Sequence, residues 1–543
     1  MPPLALLKKS LRRHVVYKLI PFWTDHKKVH LVIKKIYAAL RVHPLLAVLV
    51  LSAGVRIIHL ALNFPLWWDT HVYIGMGKYI FSGGQIGTWE PFRPLVLPLL
   101  NGAIWKAGLN QIIAGKVLDL VFSLIAIYLT YLIGSKIFNQ KEALLGTLIF
   151  SLTPVFVDFT GIILTEPLAM VFGLLGVYLV IRNKTGLDLL LGGIMLGLSF
   201  LTKFPQGIWW AAILGAILIK MLLRKEKWGR SILEGTVISL GFIIAAAPYL
   251  IFNYYTYPNP LEPFISGSWI VTTATWMYGE GILFYLIHFF FFNPVYLFFL
   301  GYLYGFLRSN FKKKGSIRDE NKTIIADSTN TKKQNGIRSI LLICIFTIIY
   351  FTWLPRKEPR YLVTILPLMA MLAANAIFCT YYFIKSKPKP IIRPRAFIII
   401  MGIILVLSSL PSIPVNKNIS AAEQEIIGLI KMQQTEGPII SSTPFLFSYL
   451  DKQIIILGPM NEAAKVYEDN KNKFQFLVLN ECDFICSPED LECLRQREEL
   501  LKLISSDNKE IYNERLVLFE HNEKLRQECI YRAYVPVTTD GLN

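Results

Sequence analysis

Apolar runs long enough to cross a membrane recur along the first 412 positions, separated by short polar connections. Each is about 17–25 residues, enough as a helix to cover a hydrocarbon core of roughly 30 Å. They mostly lack the polar face, repeating at helical period, that a buried helix of a soluble protein would show. The runs predict spans at 44–63, 111–134, 142–157, 166–182, 188–202, 206–223, 231–252, 282–307, 338–354, 361–384 and 396–412. Between the first two lies 64–110, in which 69–81 reads as a short amphipathic helix. Residues 93–107 are apolar but interrupted by proline, and read as a segment lying along or dipping into the membrane. After 412 the pattern changes. Helix-like stretches at 421–432, 445–450 and 461–469 alternate with strand-like ones at 438–442, 454–457 and 474–479, as in a small α/β layer structure. The expected fold class is a polytopic α-helical membrane protein with about eleven transmembrane helices and a C-terminal extracytoplasmic α/β domain.

Charge orients these pieces. Of 543 residues, 54% are hydrophobic and 17% charged, against about 25% charged in an ordinary soluble domain. The net charge of +19 is uneven: 413–543 holds 14 Lys/Arg against 21 Asp/Glu, which leaves 42 against 16 elsewhere. That basic excess would suit nucleic acid, but it lies in short segments between spans, which is the positive-inside pattern. The connections 224–230, 308–338 and 385–395 carry four, nine and five basic residues against one, three and no acids, and are assigned to the inside. The outer loops are then 64–110, 158–165, 253–281 and 355–360. Three domains result: a cytoplasmic basic segment 1–43, a membrane domain 44–412, and an extracytoplasmic domain 413–543. The first segment has ten Lys/Arg and one acid and shows no cleavable signal. The expected location is the plasma membrane, with the N-terminus cytoplasmic.

Cys482, Cys486, Cys493 and Cys529 all fall in the last domain. On an outer face four thiols suggest disulfides, with three possible connectivities; a zinc site is the rival, without the usual His-rich or paired spacing. Asn418 begins an outer sequon, whereas Asn183 and Asn321 begin sequons assigned to the inside.

The outward half of the membrane domain has few acids: Asp69, Glu90, Asp158, Glu166, Glu262, Glu280 and Glu358. Asp69 follows the first span in Phe64-Pro65-Leu66-Trp67-Trp68-Asp69-Thr70-His71-Val72-Tyr73, beside tryptophans that belong at a headgroup interface. A carboxylate placed there suits a general base, and equally an N-cap for the next helix. Glu166 opens a span in Leu164-Thr165-Glu166-Pro167, where it also fits a helix start. Lys203 ends another span, and Arg356, Lys357 and Arg360 crowd a six-residue outer loop. Outer cations run against the positive-inside trend. A phosphate at the membrane surface would account for them, as would anionic headgroups or snorkelling; Arg93 can join them.

These residues resemble a known family. An acid just after the first span, a helix with Tyr73 and Gly77-Lys78, then Glu90-Pro91-Phe92-Arg93-Pro94-Leu95 are similar to the first outer loop of GT-C glycosyltransferases. Protein O-mannosyltransferases and lipid A aminoarabinose transferases are the closest in pattern. Leu164-Thr165-Glu166-Pro167-Leu168, Leu201-Thr202-Lys203-Phe204-Pro205 and the run from Arg360 to Pro367 come in the family's order, and the resemblance covers 44 to about 380. One departure stands out: the mannosyltransferases usually pair Asp with Glu, whereas Thr70 follows Asp69, so the second acid is Glu90, Glu166 or none. Trp67-Trp68-Asp69 is also similar to the WWDYG signature of oligosaccharyltransferases. That motif lies in their C-terminal domain, and 413–543 contains no tryptophan.

The resemblance implies a polyprenyl-phosphate sugar donor and inverting transfer to a lipid, glycan or protein hydroxyl on the outer face. Asp69 would be the base, with Glu166 as a second catalytic acid residue. Lys203, Arg360, Arg93 and Arg356 would hold the carrier phosphate, and Tyr73, His71 and Glu90 would contact sugar or acceptor. The scheme requires no metal, and no clear ligand cluster appears. The alternatives are a transporter or lipid flippase, which calls for mid-membrane charges or broken helices in symmetric halves, and a scaffold presenting the last domain. Asp119 is the only acid near a span interior.

Overall fold

The computed structural model describes residues 43–62, 66–223, 228–272, 275, 278–312, 324–388, 390, 392–408, 417–433, 437–519 and 526–537. The basic lead-in to residue 42, Asn321, and parts of the basic connections at 224–230 and 308–338 lie outside them, as do the side chain of Asn418 and the end of the expected span 396–412. The chain divides into units Met1–Ser52 and Ala53–Asn543. The first is described only from residue 43 on, and every element after the first helix belongs to the second.

Helix α1 (Pro44–Ala61) is followed by α2 (Trp68–Phe81) and α3 (Val96–Lys106), which together build the first long loop. Then come α4 (Gln111–Ile137), α5 (Gln140–Ser151), α6 (Pro154–Asp158), α7 (Thr165–Arg182), α8 (Gly186–Thr202), α9 (Gly207–Leu222), α10 (Trp228–Thr256), α11 (Glu262–Ile270), α12 (Phe284–Phe292), α13 (Phe298–Lys312), α14 (Ile324–Trp353), α15 (Leu366–Ser386) and α16 (Pro394–Ser408). Among the described residues, seven helical segments are long and apolar enough to cross a membrane, and three shorter apolar ones accompany them. The chain is a multi-pass membrane protein.

Two expected spans are broken where proline removes a backbone donor. The run 142–157 divides at Thr153-Pro154 into α5 and α6, and 282–307 divides at Asn293-Pro294 into α12, a 3-10 turn Pro294–Leu297 and α13. The freed groups are met locally. The Asn293 side chain accepts from Val295 N–H at 3.0 Å, and Thr153 Oγ1 shares a 2.8 Å hydrogen bond with the hydroxyl of Tyr296, joining the two breaks. Helix α2 packs on α3 at very short range: a Cβ on Gly77 would sit 2.6 Å from the Pro98 carbonyl oxygen, so only glycine fits.

The C-terminal part is a five-stranded sheet between helices. Helix α17 (Lys417–Met432) leads to β1 (Ile439–Ser441), α18 (Leu446–Tyr449), β2 (Ile454–Ile456), α19 (Met460–Asn470), β3 (Phe476–Asn480), α20 (Leu491–Asp507), β4 (Asn508–Phe519) and β5 (Arg526–Pro536). Spatial order is β2-β1-β3-β5-β4, with β1, β2 and β3 parallel and β5 antiparallel to both of its neighbours. Successive side chains take opposite faces: Ile439, Phe476 and Val478 join one core with α17 and α18, and Ile440, Leu477 and Leu479 the other with α19 and α20. Helix α20 and the β4–β5 hairpin have no counterpart among the elements expected from the sequence. The four cysteines form two disulfides, Cys482–Cys529 and Cys486–Cys493, which selects one of the three connectivities.

Candidate active site

Asp69 lies in the first turn of α2, where an N-cap was one of its two expected roles. The structure corrects this: the N-cap is Trp67, with no side-chain cap. The Asp69 carboxylate is engaged elsewhere. Oδ1 accepts from Arg93 Nη1 at 2.9 Å and Oδ2 from Arg360 Nη1 at 2.8 Å. Arg93 also donates through Nε to Glu90 at 2.5 Å, three residues before it. Arg360 reaches Glu358, which also takes the Arg356 guanidinium at 2.7 Å and the Tyr361 hydroxyl at 3.0 Å. Glu90, Arg93, Asp69, Arg360, Glu358 and Arg356 thus form one continuous chain of charge.

Beside it Lys203 Nζ donates to Glu166 Oε1 at 2.6 Å. The Tyr361 ring lies between the two groups, 6.0 Å from Lys203 Nζ and 5.9 Å from the Arg360 guanidinium carbon. Arg93 lies over the ring of Tyr73, Arg356 over Tyr278 and Arg360 over Trp67, at 5.1, 3.7 and 5.6 Å. Four carboxylates therefore face four cations with aromatic rings between them. Pairing is what makes this possible, because an unpaired charge removed from water costs several kcal/mol.

Electrostatics stem from the contacts. Burial works against ionisation of Asp69, but Arg93 and Arg360 outweigh it and hold the carboxyl well below its usual range. Glu358 is likewise lowered against burial by Arg360 and Arg356. Burial pushes the Tyr73 hydroxyl up to about 12, so it acts as a neutral hydrogen-bonding group.

A turn ahead of α7 fixes the spacing of the two acids. Ile163 has φ 64, a left-handed backbone that a β-branched residue rarely adopts. Asp119 Oδ2 accepts the N–H groups of Gly161 and Ile163 at 3.2 and 2.7 Å, which offsets that cost. The Ile162 carbonyl between them takes the Thr70 hydroxyl at 2.5 Å. One turn is thus bonded to the neighbour of Asp69 and runs directly into Thr165-Glu166.

The structure brings together Asp69, Glu90, Arg93, Tyr73, Glu166, Lys203, Arg356 and Arg360. His71 belongs elsewhere. It is buried on α2, its Nδ1 lies 2.6 Å from the Ser448 hydroxyl of α18, and burial lowers its pKa to about 3. Lys78 on the same helix donates to the Leu450 carbonyl at 3.1 Å and pairs with Asp451 at 2.8 Å. His71 is therefore part of the seat of the C-terminal domain, not of the charged cluster. Glu358, Tyr278 and Tyr361 were not singled out from the sequence; the signal was Arg356-Lys357-Glu358-Pro359-Arg360, where one acid sits between two arginines. Among the described residues, no group of three or more His, Cys, Asp or Glu is arranged to hold a metal ion.

A family described as dolichyl-phosphate-mannose-protein mannosyltransferase matches residues 93–252. No curated protein matches. Among solved structures, ArnT from Cupriavidus metallidurans bound to undecaprenyl phosphate is similar with a TM-score of 0.52 and 12% identity, covering 92% of this chain and 98% of that one. The oligosaccharyltransferase of Archaeoglobus fulgidus tethered with an acceptor peptide has a TM-score of 0.52 and 13% identity, covering 88% and 73%. At such identities the likeness is one of fold. The chain is a polytopic membrane protein with the fold of the GT-C glycosyltransferases.

Proposed function

We propose that this protein is a membrane glycosyltransferase that moves a sugar from a polyprenyl-phosphate donor, dolichyl- or undecaprenyl-linked, to a hydroxyl of a lipid, glycan or protein acceptor. One observation carries the reading: a single carboxylate, Asp69, is shared by two arginines from distant parts of the chain, beside a Glu166–Lys203 pair. The fold likeness to a protein solved with undecaprenyl phosphate supports the donor class. The reaction is placed at the extracytoplasmic face of the plasma membrane, with the N-terminus cytoplasmic, as the basic connections favour.

In the free protein Asp69 is a poor base, because both arginines stabilise its charged form. A donor phosphate entering the cluster offers Arg93 and Arg360 a second anion, with Lys203 and Arg356 close by. Once the arginines transfer to it, Asp69 is free to take the acceptor proton. The acceptor oxygen then bonds to the anomeric carbon from the face opposite the phosphate, the carbon–oxygen bond to phosphate breaks, and polyprenyl phosphate leaves with the electron pair. The four cations stabilise that growing charge, and configuration inverts. Glu166 restrains Lys203 until the phosphate arrives, and Tyr73 and Glu90 line the approach to sugar and acceptor.

The test uses purified full-length protein in lipid nanodiscs with polyprenyl phosphates carrying labelled mannose, glucose or aminoarabinose. The expected result is cleavage of the sugar–phosphate bond of one donor, with label passing to a hydroxyl acceptor. Movement of lipid or solute with every donor left intact would make the protein a flippase or transporter instead.

A further inference from the structure

Near the end of α10, Tyr249 and Asn253 are four residues apart on one helical face, and Tyr257, the residue after the helix, continues the spacing with its N–H bonded to the Asn253 carbonyl at 2.9 Å. Asn253 has no exposed surface, and neither its amide oxygen nor its amide nitrogen makes a hydrogen bond of ordinary geometry among the described residues. The Tyr249 hydroxyl, also buried, lies toward that amide without a hydrogen bond of ordinary geometry. At the far end Trp89 Nε1 donates to the Tyr257 hydroxyl at 3.0 Å.

The stripe touches chain neighbours of two members of the charged cluster. Trp89 immediately precedes Glu90, and Phe204 immediately follows Lys203. The Phe204 ring centre is 5.7 Å from that of Tyr249 and 4.9 Å from that of Phe264 on α11, while Phe252 meets Trp89 edge-on at 6.0 Å. Gln206, on the turn after Lys203, has a further buried acceptor, Oε1, without a hydrogen bond among the described residues.

A fully buried amide without a hydrogen bond of ordinary geometry is destabilising, and it is more conspicuous in a membrane protein, where polar groups inside the bundle are kept for use. An isoprenoid tail would leave the amide as it is. A ring bearing hydroxyls would satisfy it, because each hydroxyl both donates and accepts and the amide offers both. Aromatic walls with a few convergent polar groups are what a small-molecule subsite presents. We infer that Asn253, with Tyr249 beside it and Phe204 and Phe264 as walls, is the subsite for the hydroxyls of the donor's sugar ring. The inference rests on the glycosyltransferase reading above and extends it to residues that select the sugar.

The test is Asn253→Leu in the purified full-length protein in nanodiscs. Affinity is measured for polyprenyl phosphates carrying mannose, glucose or aminoarabinose and for polyprenyl phosphate without sugar, together with thermal stability of the free protein. The variant should bind the sugar lipid that the wild type prefers at least roughly tenfold more weakly, as loss of one or two hydrogen bonds implies. Binding of bare polyprenyl phosphate should stay within about twofold, since no phosphate contact is altered. The free variant should melt at the same temperature or higher, because a buried orphan has gone. An unchanged ratio between sugar lipid and bare lipid would overturn the inference, and with a lower melting temperature would make Asn253 a structural residue. So would a wild type that binds none of the sugar lipids better than bare lipid. Failure of the function shows separately: a wild type that binds sugar lipid through Asn253 and cleaves none keeps the subsite and loses the enzyme.

Discussion

Replacing Asp69 with Asn should separate binding from chemistry in opposite directions. Asp69 accepts one charge-assisted hydrogen bond from each arginine, at 2.9 and 2.8 Å, and both are largely shielded from water. Bonds of this kind contribute about 1.5–3 kcal/mol each. A donor phosphate that recruits Arg93 and Arg360 must displace them, so the carboxylate competes with the donor. Its removal lifts at least one bond's worth of competition, about 1.5 kcal/mol, which is roughly tenfold tighter binding. Loss of the base costs about 10²–10⁴ in rate, or roughly 3–5 kcal/mol of barrier. Asp69→Asn should therefore bind polyprenyl phosphate about tenfold more tightly while kcat falls at least a hundredfold. Isothermal titration with polyprenyl phosphate and single-turnover transfer of labelled sugar measure the two effects, with melting temperature as a control on folding. A variant that melts normally, binds no more tightly and transfers within tenfold of wild type would refute both the competition and the base.

Three further outcomes rest on the contacts of the fold. In the free protein the arginines hold Asp69 ionised far below the usual carboxylate range, so its titration should not reduce kcat/KM above about pH 4. In the donor complex the carboxyl loses those partners beside a new anion; its pKa rises, and the acid limb of kcat should lie at higher pH than that of kcat/KM. Asp119→Leu should lower kcat by about tenfold or more in equally folded protein while Asp119→Asn stays near wild type, since both N–H bonds land on one oxygen that an amide can supply; unchanged kcat in the leucine variant would show that the 161–163 turn does not set the acids' spacing. In the C-terminal domain burial pushes Glu423 up to about 8, so the stability it gives is full below its unfolded pKa and lost as pH rises through about 8. Glu423→Gln should match wild type at about pH 5 and melt higher at about pH 9, read by hydrogen exchange of α17 in the full chain; equal exchange at both values would contradict the assignment.

What the sequence revealed divides along physical lines. Span length and apolarity are one-dimensional signals, so the membrane helices were legible. The interruptions at Thr153-Pro154 and Asn293-Pro294 were missed because mean hydropathy does not register a single absent donor, although proline marked both places. In the last domain the parallel strands are short apolar runs and were placed within one or two residues. Strands β4 and β5 carry charge at many positions, among them Lys509, Glu510, Glu514 and Arg515, and so lack the alternation that marks a half-buried strand.

Within the site, cations that break the expected positive-inside trend pointed to Lys203, Arg356 and Arg360; the structure joins the two arginines through Glu358 and pairs Lys203 with Glu166 beside them. Which acid meets which base was not readable, because Asp69 and Arg360 lie 291 positions apart. The same pairing explains the misplaced N-cap: a carboxylate held by two guanidinium groups is not available to the backbone of its own helix. The family resemblance offered His71, two positions from Asp69, as a sugar or acceptor contact. On a helix that spacing turns a side chain away from its neighbour, and here it faces Ser448. Asn253 gave no signal at all, since the surroundings of a buried amide show only in three dimensions.

The most direct measurement is a structure of the full-length protein with polyprenyl phosphate bound. The account predicts phosphate oxygens within hydrogen-bond distance of Arg93 and Arg360, and Arg360 Nη1 moved from its present 2.8 Å to beyond reach of Asp69 Oδ2. A phosphate seated away from these side chains, with both arginines still clasping Asp69, would contradict it.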